Sequence, residues 1–308
     1  MFVKISVDIE NFQVIKSLHA EIDTKYPILI IGPNGTGKTT LMFLLYLYFF
    51  MSHSGDDVSI STKFKRTFLI NNIKNSLSKV TLSIEGETGF LSIKDGKIFY
   101  QPSSMKMRPV YFSLTSVGEY YMGIYAATKY YAEWNIIPDP IRDLIGDVFL
   151  AKHKTINLSE FPILSAYVQK NRIMVQIRNT GEKLAIERVA SGYKSLSWLY
   201  LILSIFPDVL LFDDIEASLH PSLLRILIEY LISHFEKDKI LFISTHSDLT
   251  VEILNLLLLK KRIEKVTVLH MSHGVPVEIR EATNDNLIPP YLSEEYKKVF
   301  QEKWSVSQ

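Results

Sequence analysis

Residues 32–39 read Gly-Pro-Asn-Gly-Thr-Gly-Lys-Thr and satisfy the pattern G-x-x-x-x-G-K-[ST] in full. Each position has a chemical reason. Glycine-rich backbone such as Gly32-Pro33-Asn34-Gly35-Thr36-Gly37 lets successive N–H groups curl around phosphate oxygens. Lys38 offers a point charge to β- and γ-phosphates. Thr39 offers a hydroxyl to Mg²⁺, and with Thr40 it opens a helix whose positive dipole end faces the anion. The residues before the motif, Pro27-Ile28-Leu29-Ile30-Ile31, read as a strand and those after it as a helix, which is the context the pattern demands.

A second set of chemically capable residues lies far along the chain. The stretch LLFDDIEASLHP, 210–221, ends an apolar run in Asp213 and Asp214, with a third acid, Glu216, two places on. A phosphate-binding loop of this kind needs another strand whose terminal carboxylate reaches Mg²⁺ through water, and Asp213 suits that role. Asp214, next in line, stands where a carboxylate orients an attacking water. ILFISTHSD, 240–248, is another apolar strand, and it delivers His246, a residue able to hydrogen-bond a γ-phosphate. Ser191-Gly192 opens a long apolar helix, and a helix N-terminus with a hydroxyl is an anion site of its own. Two anion sites for one triphosphate make sense if the second belongs to another subunit.

These residues need rigid elements to hold them. Residues 28–31 are wholly apolar, as a parallel strand buried on both faces should be. Residues 2–9 alternate like a strand with one wet face. The stretch 80–100 has the alternation and glycine turns of a β-meander, 117–135 reads as a core or lid helix, and a proline-opened helix is expected near 138–153. A hairpin is expected to turn at Asn179-Thr180-Gly181. From 191 the pattern returns to helix, strand, helix, strand, and residues 266–282 read as a closing strand pair. The fold class is therefore α/β: a P-loop sheet with an inserted mixed β/helical middle. The expected division is 1–51 (phosphate loop), 52–185 (inserted lid or arm) and 186–308 (helix start, acidic strand end and histidine).

Composition narrows the classes. With 47% hydrophobic and 22% charged residues, a large core is available and global disorder is excluded. The chain has no cysteine, which excludes disulfides, cysteine zinc sites and thiol catalysis. A net charge of +1 argues against a uniformly basic nucleic-acid module. The basic runs Lys63-Phe64-Lys65-Arg66 and Lys260-Lys261-Arg262 are read as solvated faces, as are His270 and His273, which lack acidic companions in sequence. The apolar runs 41–51 and 198–212 fall short of the ~20 residues a membrane-spanning helix needs. A soluble, cytoplasmic protein is the default reading.

The order GPNGTGKT, ASGYKS, LLFDDIEASLHP, ISTHS resembles the ABC-type ATPases, within them the RecF, structural-maintenance-of-chromosomes and OLD-type branch, an AAA-family group of the AAA-21/AAA-15 kind. VDIENFQVIKSLHAEI at 7–22 is similar to that branch's N-terminal strand pair, with Gln13 where arginine is frequent. The likeness covers roughly 1–50 and 185–280. RPVYFSLTSVGEY, 108–120, falls where the family has its Q-loop, but holds no glutamine.

The resemblance implies a head-to-tail homodimer with ATP sandwiched between subunits. Ser191 and Gly192 of one chain would meet the γ-phosphate held by Lys38 of the other. Thr39 and Asp213 would hold Mg²⁺, Asp214 would be the catalytic base where the family has glutamate, and His246 would be the switch histidine. There are no long heptad arms and no C-x-x-C hook, and only 62 of the 308 residues follow His246, too few for a TOPRIM nuclease domain. The reading is a slow ATPase that switches by dimerising and works with DNA or with a separate nuclease or other effector protein. Two alternatives stand beside it: a nucleotide-binding subunit of a membrane transporter, against which EASLHP argues, and a nearly inactive ATP-binding structural subunit.

Overall fold

The computed structural model describes residues 3–54, 60–68, 78–94, 96–113, 138–156, 158–159, 161–170, 172–234 and 239–289. The chain opens with a hairpin, β1 (Lys4–Phe12) and β2 (Ile15–Asp23), paired antiparallel from Lys4↔Asp23 to Phe12↔Ile15. Alternation dictates its sidedness: Ile5, Val7 and Ile9 are buried while Lys4, Ser6 and Asp8 face water. β4 (Lys79–Ile84), β5 (Phe90–Lys94) and β6 (Lys97–Gln101) extend this hairpin into one antiparallel sheet, ordered β2-β1-β4-β5-β6.

The central sheet is assembled from distant parts of the chain. β3 (Ile28–Ile31), β7 (Pro109–Ser113), β11 (Val209–Asp213), β12 (Ile240–Thr245), β13 (Val266–His270) and β14 (Glu278–Ala282) run in the order β14-β13-β3-β12-β11-β7. Neighbours are parallel except β14, which pairs antiparallel with β13. Every residue of β3, β7, β11 and β12 is buried, so their apolar character up to the polar residues that end β7, β11 and β12 follows from being covered on both faces. Strands from 52–185 thus enter both sheets: β4–β6 continue the one that β1 and β2 begin, and β7 takes an edge of the one around β3. A third sheet, β10-β9-β8, consists of β8 (Ile163–Gln169), β9 (Arg172–Ile177) and β10 (Lys183–Ala185). Its β9–β10 turn contains Gly181 at φ +68°.

Helix α1 (Lys38–Ser54) lies between the two larger sheets. It packs on β7, β11 and β12. On its other side Tyr48 donates to the Gly89 carbonyl at 3.4 Å and Ser52 meets Tyr100 at 3.4 Å. Leu41 through Phe49 are all buried, so the run has no polar face because it has no wet face. Removing such a side chain, for example by Leu44→Ala, costs about 2–5 kcal/mol in cores of this kind.

Among the described residues the other α-helices are α2 (Ile60–Phe68), α3 (Asp139–Leu150), α4 (Ser191–Ser204), α5 (Pro221–His234) and α6 (Asp248–Leu259). None of the described helices is long and apolar enough to cross a membrane. The helix expected over 117–135 lies outside the described residues.

One expectation fails in α2. Lys63 and Phe64 are not on a solvated face; both are buried. Lys63 pairs with Asp143 and, at 3.3 Å, with Asp139, and its ammonium stands 3.6 Å from the Phe50 ring centre. Tyr46 of α1 donates to the same Asp143 at 2.6 Å, and Arg142 pairs with Asp139. A lysine can be buried when two carboxylates and an aromatic face replace its water. Lys65, Lys260, Lys261 and Arg262 do face solvent or lie at its edge, as expected.

Candidate active site

The phosphate loop is shaped by its neighbours as much as by its own sequence. Gly32 has φ +152°, and a Cβ there would lie 2.1 Å from the Met271 carbonyl oxygen, so no side chain fits. Met271 N–H donates to Ile31 O at 2.8 Å, which brings the chain after β13 against the loop. At Gly37, with φ +103°, a Cβ would meet Ile15 at 2.8 Å, because the β1–β2 turn leans on the loop's far side. Gln13 in that turn accepts from Thr40 Oγ1 at 2.8 Å.

Lys38 is buried, and its ammonium donates to the carbonyls of Gly32 at 2.9 Å and Pro33 at 3.0 Å. Burial lowers its pKa, and the carboxylates of Asp214, Asp213 and Glu216 work in the opposite direction. Asp214 thus lies within electrostatic reach of the Lys38 ammonium.

Asp213, at the end of β11, is buried and receives three hydroxyls. Thr39 Oγ1 donates to Oδ2 at 2.7 Å, Tyr111 OH donates to Oδ2 at 2.8 Å, and Ser244 Oγ donates to Oδ1. Burial raises its pKa, and the Ser244, Thr39 and Tyr111 hydroxyls hold the rise down. An alcohol and a carboxylate oxygen in contact are a hard-oxygen pair of the kind Mg²⁺ takes alongside phosphate and water, so these residues fit that ion.

Beyond Asp213 the backbone turns sharply. Asp214 adopts φ +48°, a left-handed conformation that aspartate tolerates better than most residues. Its N–H donates to Ser244 Oγ at 2.9 Å, and its Oδ1 lies 3.2 Å from His246 Nδ1. Glu216 stands 3.0 Å from the same nitrogen and accepts from His246 N–H at 2.9 Å and Thr245 Oγ1 at 2.7 Å. Asp214 and His246, 32 residues apart, are therefore brought together. A cleft of roughly 240 Å³ opens between Gly32-Pro33 on one wall and Thr245–Asp248 on the other, with His270 and Ser272 at its side.

His270 is thus not simply solvated; it is partly buried beside Glu278 and Arg280, and burial lowers its pKa. His273 is exposed and lies against Gly35, where a Cβ would approach its ring to 3.4 Å. Neither belongs to a metal-competent cluster among the described residues.

Ser191 is exposed at the start of α4, whose N-terminus carries no side-chain cap. Gly192 faces the turn after Asp214: a Cβ on it would lie 3.8 Å from Ser218 O. The structure thus joins loop, acidic strand end and histidine, and puts Ser191 on the outside. Tyr111, Ser244 and Glu216 are partners that sequence reasoning did not assign. Glu216 and Ser244 lie inside motifs already singled out, whereas Tyr111 carries no local signal.

The family described as "AAA domain, putative AbiEii toxin, Type IV TA system" matches residues 99–252, half of the chain. The chain belongs to this AAA-domain family. A second AAA-domain family matches residues 6–137. No curated protein matches the sequence. Among solved structures, the SMC head domain of Pyrococcus furiosus, bound to the C-terminal domain of ScpA, superposes with a TM-score of 0.52 at 11% identity, covering 98% of this chain and 99% of that one. A second SMC head, bound to the C-winged helix domain of ScpA, gives 0.54 at 15% identity, covering 92% and 98%. The AAA-domain chain therefore has an α/β P-loop ATPase fold like that of the SMC heads.

Proposed function

We propose that this AAA-domain ATPase is a switch that closes on ATP as a homodimer, hydrolyses it slowly and passes its closed state to a separate effector or to DNA. One observation carries the reading: Thr39 is hydrogen-bonded to Asp213, the Lys38 ammonium lies in the field of Asp213 and Asp214, and Asp214 meets His246 at 3.2 Å, while Ser191 is exposed at the uncapped start of α4. A helix start exposed in this way is available to a phosphate held by another copy.

In this reading the loop N–H groups and Lys38 hold the β- and γ-phosphates. Thr39 and Asp213 would hold Mg²⁺, which when bound would supply positive charge to the phosphoryl oxygens. Asp214 orients the attacking water and takes its proton, His246 hydrogen-bonds the γ-phosphate, and Ser191 and Gly192 of the second copy close the site. Residues 1–51 and 186–308 carry this chemistry, and 52–185 supplies support and effector contacts. The SMC heads of similar fold are bound to ScpA domains, which favours a protein effector.

Light scattering is the test. ATP with Mg²⁺ is expected to double the molar mass of an ADP-loaded monomer. A single mass in ATP, ADP and no nucleotide would refute the switch.

A further inference from the structure

The end of β11 and the turn after it carry three acids, Asp213, Asp214 and Glu216, and the proposed reaction uses the first two. Glu216 points into the protein: its side chain is 13% exposed, against 29% for Asp214. Oε2 accepts from Thr245 Oγ1 at 2.7 Å and lies 3.4 Å from Thr250 Oγ1. Oε1 accepts the His246 N–H at 2.9 Å and stands 3.0 Å from His246 Nδ1. One carboxylate thus collects the main chain and side chain of the histidine and two hydroxyls, one from the end of β12 and one from the first turn of α6.

The turn it sits in needs holding. Asp214 at φ +48° and Ser218 at φ +62° bracket Glu216, both in a conformation that side chains other than glycine rarely keep without support. Ile215 N–H donates to Ser244 O at 3.2 Å, so the turn is tied to the end of β12 on both sides of Asp214. Nδ1–H donates to the Glu216 and Asp214 carboxylates, so Nε2 is the nitrogen His246 has left for the cleft, and with the ring as imidazolium it donates to an anion there. Ser218, two residues on, backs Gly192 at the start of α4, so the same turn also supports the helix end offered to the second copy.

We propose that Glu216 is a positioning residue for the hydrolytic reaction: it fixes the main chain and ring of His246 so that Nε2 meets the γ-phosphate. This rests on the ATPase reading above. It asks little of Glu216 in nucleotide binding: Lys38 donates to Gly32 and Pro33, Asp213 accepts from Thr39, Tyr111 and Ser244, and Glu216 reaches this group only as the third of the carboxylate charges acting on Lys38.

The test uses the full chain and three measurements: phosphate release at saturating ATP and Mg²⁺, calorimetric affinity for a non-hydrolysable ATP analogue, and Tm. Glu216→Ala is expected to lower kcat by about ten- to a hundredfold, as misplacing a catalytic group by ~1 Å does. Affinity should stay within about threefold of the parent. Glu216→Gln keeps an acceptor for the His246 N–H and should retain more turnover than Glu216→Ala at a parental Tm, which separates positioning from folding. In a His246→Ala background, Glu216→Ala should cost nothing further, since it acts through the ring already removed. Parental kcat in both Glu216 variants, or losses that multiply with His246→Ala, would overturn the inference alone. If the parent releases no phosphate, or His246→Ala leaves turnover unchanged, the ATPase reading falls and takes this one with it.

Discussion

At the level of single residues, the question is how an aspartate performs where the resembling family has glutamate. Asp214 is one methylene shorter, about 1.5 Å of reach. A catalytic group displaced by ~1 Å can lose ~100-fold in rate. Its backbone is left-handed and its carboxylate lies 3.2 Å from His246 Nδ1. We expect slow turnover in the parent and slower still, with a trapped ATP dimer, in Asp214→Asn. Asp214→Glu should match or exceed the parent in steady-state phosphate release; a clear fall would mean that the backbone has already compensated and the longer chain overreaches. Asp214→Asn turning over at the parental rate would remove Asp214 from the mechanism. Binding is a separate matter and hangs on Lys38, whose ammonium already sits on the loop's own carbonyls. Lys38→Ala should abolish calorimetric ATP binding, and unchanged affinity would sink the phosphate-site assignment.

At the level of elements, α1 carries both the phosphate-binding start and a buried ionic group at its far side. Lys63, Asp139, Arg142, Asp143 and Tyr46 tie α1, α2 and α3 together without touching the loop. Burial raises the pKa of Asp139, and Lys63 and Arg142 oppose the rise. Removing one member of a buried ion pair leaves an uncompensated charge, at a cost of about 3–5 kcal/mol. Lys63→Ala should therefore lose stability on that scale in urea unfolding while leaving ATP affinity intact. A loss below about 1 kcal/mol, the range of exposed pairs, would show that water reaches Asp139 and Asp143 readily.

At the level of the whole molecule, a net charge of +1 supplies no long-range attraction to nucleic acid. Affinity for DNA has to come from local clusters such as the exposed Lys260, Lys261 and Arg262, and a dimer presents two of them. Binding should then appear only with ATP and fade steeply with salt as counterions return to the phosphates. Gel shifts at low salt, with single- and double-stranded DNA and with and without ATP, check this; no shift in any lane leaves a protein as the effector. Dimerisation itself is probed by Ser191→Arg, which adds bulk where the second copy's phosphate would dock. It should leave the monomer's ATP affinity unchanged and keep its mass from doubling in light scattering.

The sequence by itself determined the α/β class, the phosphate loop, Asp213 at a strand end and the closing strand pair. These are written in short spacings: glycines at fixed offsets, four to six apolar residues in a row, an acid where the run stops. Tertiary structure alone decided the rest. Tyr111 reaches Asp213 across 102 residues, Ser244 reaches it across 31, and Lys63 reaches Asp143 across 80. The first two contacts arise because β7, β11 and β12, parallel strands from separate parts of the chain, lie side by side, and the third because α2 packs on α3; no local pattern records which side chain will face which carboxylate. The same holds for β4–β6 and β7, whose alternation marks them as strands but not which sheet they join. Strand pairing is settled by what each face can bury against, and that is a property of the assembled core.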